Sequence, residues 1–274
     1  MICEIRELNF NDLNVLLENL HTDLETHLFV ASRANEVLSR QTSSSVLGYF
    51  EDGRLVSGVF YGPNIVPFNV TKNAAEEFGK FFSKLTNRCA SIVGAKSDVE
   101  ILWPEISSNL PTPRLVRENQ LLFVLEKVLI QHEDSKVRKV LDSDLDRYTS
   151  ASIEMFTGEV GLPPNDLMEY RLRVKSQISV GNSYAWFAGD GRVLFKVDVG
   201  SQFDGACQIQ GVWLHPELRG RGYSKELLHM AINLIQKQHA QKITLYVNDF
   251  NKPALALYRN LGFTEHNVFQ TIFF

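Results

Sequence analysis

The first half of the chain alternates short apolar runs with segments whose apolar residues recur at helical spacing. Residues 11–38 have this helical spacing, and Asn11 is a candidate helix cap. Two strand-like runs follow within residues 43–62, and they flank Asp52-Gly53, a dipeptide typical of a hairpin turn. The pattern then predicts a strand, an amphipathic helix, a buried strand and a short helix ended by Pro104, over residues 64–70, 72–85, 89–94 and 96–106.

The second half repeats this order of elements. Two helices are predicted first, with Ser143 and Asn165 as their caps. A hairpin turning at Asp190-Gly191 comes next, and its sequence over 189–200 is similar to that of residues 51–62. A strand, a helix, a strand, a helix stopped by Gly262 and a last strand complete the pattern, over residues 206–216, 224–238, 242–249, 251–263 and 267–274.

This internal similarity predicts two related α+β domains, each with a mixed, mostly antiparallel sheet flanked by helices. An apolar run ends near residue 130, and the polar stretch 131–136 separates it from the next periodic segment. We therefore predict one domain over residues 1–133 and a second over residues 134–274.

Composition narrows the functional classes. Among the 274 residues 44% are hydrophobic and 22% are charged, and the net charge of −4 disfavours nucleic acid as the main partner. The three cysteines are far apart, so neither a metal site nor a disulfide framework is expected. No segment approaches the roughly 20 apolar residues that span a bilayer, and the N-terminus does not have the pattern of a signal peptide. We expect a cytoplasmic protein without a membrane partner, and the sequence leaves its oligomeric state open.

The stretch "HPELRGRGYSKELL", residues 215–228, has the most specific chemistry in the sequence. It joins a predicted strand to a predicted helix, whose first backbone N–H groups have no partner within the helix. Gly220 and Gly222 let an anion approach the main chain, and Arg219 and Arg221 add charged donors. These features predict a phosphate or pyrophosphate site. The alternative is an ordinary glycine turn with solvated arginines. The pattern is neither a Walker A loop nor a dinucleotide-binding fingerprint.

These residues resemble the coenzyme A signature of the GNAT superfamily of N-acetyltransferases, Gln/Arg-x-x-Gly-x-Gly/Ala. Arg219 takes its first place and Gly222 its fourth, while Ser224 stands where glycine or alanine is usual. Residues 245–263 resemble the next strand and helix of that family. The whole chain is also similar to a bacterial subgroup in which an uncharacterised GNAT-like domain precedes the acetyltransferase domain. In the first half, residues 69–78 occupy the place of the signature and lack it, so that domain is expected to have lost the phosphate loop.

The resemblance implies which residues bind acetyl-CoA. Backbone groups of Val212, Trp213 and Leu214 would pair with the pantetheine arm. Asn251 would contact the same arm, or it caps the following helix. The pyrophosphate would lie on the loop formed by Arg219, Gly220, Arg221, Gly222, Tyr223 and Ser224.

It also implies direct transfer of the acetyl group to a primary amine of a small molecule, peptide or protein. Tyr258 is a candidate cofactor contact and the candidate general acid, with packing on its own helix as the alternative. Glu159, expected in the loop after the first helix of this domain, is the first candidate base, and Asp198 is the second. A solvated carboxylate is the alternative for Glu159. A different class of function, a non-catalytic acyl-CoA-binding sensor or scaffold, stays open.

Overall fold

The computed structural model describes residues 2–85, 89–127, 135–161 and 163–274. The chain forms two compact units that are not continuous in sequence. The N-terminal unit contains residues 1–123, 246–255 and 265–274, and the C-terminal unit contains residues 124–245 and 256–264. The sequence boundary expected between residues 133 and 134 lies outside the described residues and stays a prediction.

The first half of the chain contains six strands and four helices in the described residues. In chain order they are β1 (Cys3–Glu7), α1 (Leu13–Leu20), α2 (Leu24–Leu38), β2 (Ser45–Glu51), β3 (Arg54–Tyr61), β4 (Asn64–Phe68), α3 (Lys72–Phe82), β5 (Ser91–Ala95), α4 (Lys96–Ile106) and β6 (Leu115–Leu125). Short 3-10 helices cover Phe10–Asp12, His21–Asp23 and Ser107–Asn109.

The sheet of the N-terminal unit has the strand order β1-β2-β3-β4-β5-β12-β6, where β12 is Thr264–Phe273. The pairs from β1 to β4 are antiparallel, whereas β4 and β5 are parallel because α3 carries the chain across between them. Phe78 and Phe82 of α3 are buried in the core, as the helical spacing predicted. Leu85 of the same predicted face lies beyond the helix and is exposed.

The second half contains the remaining elements. In chain order they are β7 (Arg138–Lys139), α5 (Leu145–Val160), α6 (Leu167–Ser179), β8 (Ser183–Phe187), β9 (Val193–Phe203), β10 (Ala206–Leu214), α7 (Tyr223–Gln238), β11 (Lys242–Asn248), α8 (Lys252–Asn260) and β12 (Thr264–Phe273). Short 3-10 helices cover Asp142–Asp144 and Pro216–Leu218.

In the C-terminal unit the strand order is β11-β10-β9-β8-β7. Only the β10–β11 pair is parallel, and α7 is the crossover between these two strands. Helices α5 and α6 pack on one face of the sheet, where Tyr148, Val174 and Ile178 meet Ala185 and Trp213 in a shared core. Both units therefore have the α+β architecture expected from the sequence pattern.

Local details differ from the predictions at several residues. Asn11 does not cap α1, because Asp12 occupies the N-cap position and Asn9 caps the preceding 3-10 helix. Helix α4 passes Pro104 and ends at Ile106, because a proline removes only one N–H donor and the fully buried Ile106 side chain holds the last turn. The residue before α5 is Asp144 rather than Ser143, which lies in a 3-10 helix. Asp166 caps α6 instead of Asn165, since its carboxylate accepts the Glu169 N–H at 2.8 Å.

The junction between β4 and α3 lies where residues 69–78 replace the Arg-Gly signature. The Asp98 carboxylate, from the first turn of α4, accepts the N–H groups of Val70 at 2.8 Å and Asn69 at 3.2 Å. The Ser57 hydroxyl accepts the Thr71 N–H at 3.2 Å and donates to the Asn69 carbonyl. The backbone donors of this strand-to-helix junction are therefore bound by side chains of the same unit.

Replacement of Asp98 by alanine should destabilise the protein, because it leaves the buried Val70 N–H without an acceptor. A buried donor without a partner costs about 1–3 kcal/mol. The free energy of unfolding, measured by urea denaturation, should fall by that amount in Asp98→Ala. The control is Glu105→Ala, which removes the same charge from an exposed position of α4. Equal effects of the two substitutions would contradict the role assigned to Asp98.

Candidate functional site

The chain makes an open, glycine-containing turn between β10 and α7. After the 3-10 helix Pro216–Leu218, Gly220 and Gly222 both have positive φ angles, +73° and +83°. Such angles are readily available only to glycine. Gly222 is the N-cap of the 16-residue helix α7, and none of the described side chains caps this helix end. The first N–H groups of α7 are therefore left to a partner other than a capping side chain.

The space around this turn fits a bulky anion. Among the described residues, no atom lies within 4 Å of the point where a Cβ would stand on Gly220 or Gly222. The Arg219 Nε donates to the Leu214 carbonyl at 3.0 Å, which anchors its guanidinium to the end of β10. Arg221 is exposed, and the described part of the chain supplies no hydrogen bond or ion pair for its guanidinium. Helix N–H groups without a capping side chain, two positive-φ glycines and two arginines are all groups that can bind phosphate oxygens.

The last two residues of the predicted loop lie in the first turn of α7. Tyr223 and Ser224 are both half-buried. The Tyr223 ring packs at a tilt on Trp186 of β8, with 6.1 Å between ring centroids. The aromatic contact ties the start of α7 to the sheet of the same unit.

The middle of β10 departs from regular strand pairing. Gln210 pairs with Asp198 and Trp213 with Lys196, so Gly211 and Val212 together oppose the single residue between the two β9 positions. This is a β-bulge, and the φ angle of +59° at Gly211 forms it. Gly211 and Val212 are only half-buried, whereas Trp213 and Leu214 are buried.

The opposite edge of β10 is free beyond its first residues. The parallel ladder with β11 covers Ala206–Gln208, so that none of the described strands is paired with this edge from Ile209 onward. The three predicted strand residues, Val212, Trp213 and Leu214, lie in this unpaired part. An unpaired edge presents backbone donors and acceptors that an extended molecule could use.

Asn251 belongs to the N-terminal unit. Its Oδ1 accepts the Ala254 N–H at 3.3 Å, so Asn251 caps α8. The capping interpretation of Asn251 thus describes an observed contact, and its contact with a coenzyme stays a prediction.

Tyr258 and Glu159 lie within electrostatic reach of each other in the C-terminal unit. Tyr258 is on α8, is 7% exposed, and packs edge-on against Phe263. Its burial, and secondly the Glu159 carboxylate, raise the pKa of its phenol above the ordinary value of 10. Glu159 is exposed and lies in the last turn of α5, which corrects its expected position in the following loop. The helix extends to Val160 because Gly161, at φ +84°, ends it there.

Asp198, the second candidate base, is engaged in a polar cluster beneath α5. Its Oδ2 is 2.7 Å from the Lys196 Nζ, and its Oδ1 accepts the Tyr148 hydroxyl at 2.7 Å and the Ser183 hydroxyl at 2.6 Å. Three donors therefore contact this carboxylate, so Asp198 is part of a hydrogen-bonded cluster. Its role as a base stays a prediction.

Our sequence reasoning did not identify Lys196 as part of this cluster. Lys196 is 1% exposed. Among the described contacts of the Asp198 carboxylate, the Lys196 ammonium is the one charged partner. The signal was available in the sequence. Lys196 and Asp198 are two residues apart on a predicted strand, so their side chains share one face of the sheet.

A cavity of about 310 Å³ opens at the end of β10 in the C-terminal unit. It brings Trp213, a predicted site residue, next to charged groups from α5 and the β8–β9 turn. Those groups are Arg147, Glu154, Asp190 and Arg192. The cavity therefore has both signs of charge in its lining.

One group of metal-ligand types occurs in the described residues of the N-terminal unit. Ligand atoms of Asp23, Glu25 and His266 all lie within 4.8 Å of one another. The Asp23 carboxylate already accepts both the N–H and the hydroxyl of Thr26 as the cap of α2, and it contacts His266 Nε2 at 2.7 Å. These contacts account for the grouping as a helix cap with an ion-pair partner. Among the described helices, none combines the length and the apolarity of a membrane span.

Two family models match the chain. The model described as the acetyltransferase (GNAT) family matches residues 187–263, which include β9, β10, the glycine turn and α8. A model described as a domain of unknown function (DUF4081) matches residues 44–148.

Individual proteins agree with the first match. An uncharacterized N-acetyltransferase of Escherichia coli is 37% identical over 67 residues, which is 24% of this chain and 39% of that protein. The chain thus matches well under half the length of this relative. Among solved structures, a GCN5-related N-acetyltransferase from Sphaerobacter thermophilus superimposes with a TM-score of 0.64 at 13% identity, over 98% of this chain and 94% of the other. A tandem GNAT protein from the clavulanic acid biosynthesis pathway gives 0.59 at 13% identity, over 98% of both chains. At these identities the superpositions show a shared fold.

Because of the bulge, we expect the stability of the protein to be unusually sensitive to substitution of Gly211. A Cβ there would lie 3.1 Å from the Lys196 Nζ and 3.2 Å from the Asp198 Oδ2, and the positive φ adds strain. We expect Gly211→Ala to lower the free energy of unfolding by about 1–3 kcal/mol, measured by urea denaturation. Gly205→Ala is the matched control, because Gly205 has φ +75° but no described atom near its Cβ position. If Gly205→Ala is as destabilising as Gly211→Ala, packing at the bulge is not the cause.

Proposed function

We propose that this chain is an N-acetyltransferase of the GNAT superfamily, and that its C-terminal unit transfers the acetyl group of acetyl-CoA to a primary amine. The observation that carries the proposal is the turn before α7. Its two glycines leave open space, none of the described side chains caps the helix end, and Arg219 and Arg221 lie in the turn. That combination suits the pyrophosphate of coenzyme A.

In this proposal the rest of the coenzyme runs along β10. The pantetheine arm pairs with backbone groups of Val212, Trp213 and Leu214, in the way that an added strand extends a sheet edge. The unpaired edge of β10 beyond Gln208 supports this assignment.

The proposed chemistry uses two side chains of the C-terminal unit. Glu159 accepts a proton from the ammonium form of the acceptor, directly or through water. The amine nitrogen then attacks the thioester carbonyl carbon, a C–N bond forms, and the C–S bond breaks. Tyr258 protonates the departing sulfur, and the second proton lost by nitrogen restores its phenol. The products are an amide and free coenzyme A, with one proton released.

The raised pKa of Tyr258 supports its assignment as a donor. An ordinary tyrosine ionises near pH 10, whereas the Tyr258 phenol keeps its proton to a higher pH because it is buried and near Glu159. It therefore carries its proton at neutral pH and can act as a donor.

The N-terminal unit is proposed to bind no second coenzyme. The Asp98 carboxylate already holds the N–H groups of Asn69 and Val70 at the place where residues 69–78 replace the signature. A phosphate there would meet a fixed negative charge instead of open donors.

Removal of both loop arginines should weaken coenzyme binding. We expect the Kd for acetyl-CoA, measured by calorimetric titration, to rise about 10- to 100-fold in Arg219→Ala/Arg221→Ala, because charge-assisted hydrogen bonds to the pyrophosphate are lost. The matched control is Arg171→Ala/Arg173→Ala, which removes the same charge from α6 of the same unit. Its Kd should stay within about twofold of the wild-type value.

Two results of this titration would change the proposal. A wild-type protein that binds no acetyl-CoA would contradict it directly. Binding without release of free thiol, across a panel of amines and peptides, would favour an acyl-CoA sensor or scaffold.

Loss of the Tyr258 hydroxyl should reduce turnover rather than binding. Because a positioned general acid contributes about 10²- to 10⁴-fold, we expect kcat of Tyr258→Phe to fall by at least 10²-fold. Its Kd for acetyl-CoA should be unchanged. In the wild type, kcat should show no decline from phenol ionisation up to about pH 10.

The control for this substitution is Tyr184→Phe, at a buried tyrosine whose hydroxyl contacts Gln238. Both rates are measured by thiol release. A kcat of Tyr258→Phe equal to that of the control would show that the phenol only packs on its helix.

A further inference from the structure

Lys196 places a fully buried ammonium group in the sheet of the C-terminal unit. The side chain is 1% exposed, and its Nζ lies 2.7 Å from the Asp198 Oδ2. The Nζ also lies 5.0 Å from the centre of the Tyr148 ring and 3.8 Å from the Met155 Sδ. The charge is thus enclosed by one carboxylate, one aromatic face of α5 and a thioether of α5.

The same ammonium group contacts the bulge of β10. Its Nζ donates to the Gly211 carbonyl at 3.4 Å, and the absence of a Cβ on Gly211 makes this approach possible. The Asp198 carboxylate, in turn, is held from its other oxygen by the Tyr148 and Ser183 hydroxyls. The orientation of Lys196 is therefore fixed from α5 and β8, and Lys196 fixes the carbonyl of Gly211.

The geometry of a peptide bond extends this contact to Val212. In a trans peptide the carbonyl of Gly211 and the N–H of Val212 point in opposite directions. Because Lys196 holds the carbonyl on the side of α5, the Val212 N–H points away from that side. Gly211 and Val212 are half-buried, so this peptide unit is accessible in a strand whose next two residues are buried.

Stability alone does not explain the buried pair. Two charges lose their hydration on burial, and replacement of such a pair by apolar groups is often neutral or stabilising. The pair of Lys196 and Asp198 instead fixes the Gly211 carbonyl, at the bulge where β10 departs from regular pairing with β9.

We propose, on the premise of the proposed function, that Lys196 and Asp198 are positioning residues for acetyl transfer. They hold the Gly211–Val212 peptide so that the Val212 N–H donates to the carbonyl oxygen of the acetyl thioester. That oxygen gains negative charge when the amine attacks, and a fixed N–H donor stabilises the charge.

The test is the double variant Lys196→Met/Asp198→Asn. It removes both charges, keeps a linear side chain at position 196 and keeps an acceptor oxygen for Tyr148 and Ser183. The single variant Lys196→Met leaves a buried carboxylate without its counter-charge and is expected to fold poorly. The matched control is Arg138→Met/Asp144→Asn, which removes another ion pair of 2.7 Å from the same unit without touching β10.

We expect the double variant to fold and to bind acetyl-CoA with a Kd within about threefold of wild type, while kcat falls about 10²-fold, the effect of losing one oxyanion donor. In the protein without coenzyme, the ¹⁵N–¹H resonance of Val212 should shift in the double variant and stay in place in the control. The split between Kd and kcat, together with the Val212 resonance, separates positioning from general stabilisation.

The outcomes are distinguishable. A wild type that binds acetyl-CoA and turns over, with a double variant of equal kcat, overturns the positioning role and leaves the proposed function intact. An unmoved Val212 resonance overturns the role of the pair in orienting the peptide. A wild type with no turnover on any amine overturns the proposed function, and the positioning role with it.

Discussion

At the end of β4 the Asp98 carboxylate accepts the backbone N–H groups of Asn69 and Val70, and the proposed difference in coenzyme binding between the two units depends on that contact. Backbone donors where a strand passes into a helix must find acceptors when they are removed from water. In the N-terminal unit the chain supplies them itself, from Asp98, Ser57 and the capping Thr71. In the C-terminal unit the corresponding helix α7 starts at Gly222, and no side chain in the described part of the chain caps it. One junction is closed by the protein's own carboxylate, and we propose that the other binds an external anion.

The same requirement, that backbone groups removed from water find partners, holds for β10 in the C-terminal unit. The strand has a ladder with β11 only over Ala206–Gln208, and a bulge at Gly211 interrupts its ladder with β9. Such a break would leave backbone groups to water alone. Here the Lys196 ammonium donates a hydrogen bond to the Gly211 carbonyl, and the Asp198 carboxylate balances the charge of the ammonium. The polar groups beneath α5 thus make the irregular strand compatible with a buried sheet, and they link the helix to the peptide that we assign to catalysis.

The sequence was most informative where a signal is local. Hydrophobic periodicity predicted the order of helices and strands, and Asp52-Gly53 and Asp190-Gly191 lie in the two hairpin turns. The Arg-Gly turn also lies between β10 and α7, as its glycines indicated. Strand β1 was missed because most of its residues are exposed, so it has no apolar alternation to detect.

Contacts between distant positions could not be predicted in the same way. Asp98 is 28 residues from Val70, and only the folded chain brings them together. Tyr148 reaches Asp198 across 50 residues, so the sequence could not show that the Asp198 carboxylate is already hydrogen-bonded. Glu159 was expected in the loop after α5, whereas the helix continues to Val160. The candidate pair of Glu159 and Tyr258 depends on such long-range placement and stays a prediction.

The central claim is that this chain has one open coenzyme site and one closed by its own carboxylate. The stoichiometry of coenzyme A binding to the wild-type chain, measured by calorimetric titration, tests this most directly. We predict one coenzyme A per chain. A stoichiometry of two would show that Asp98 does not close the N-terminal junction, and no binding at all would show that the glycine turn before α7 is only a turn.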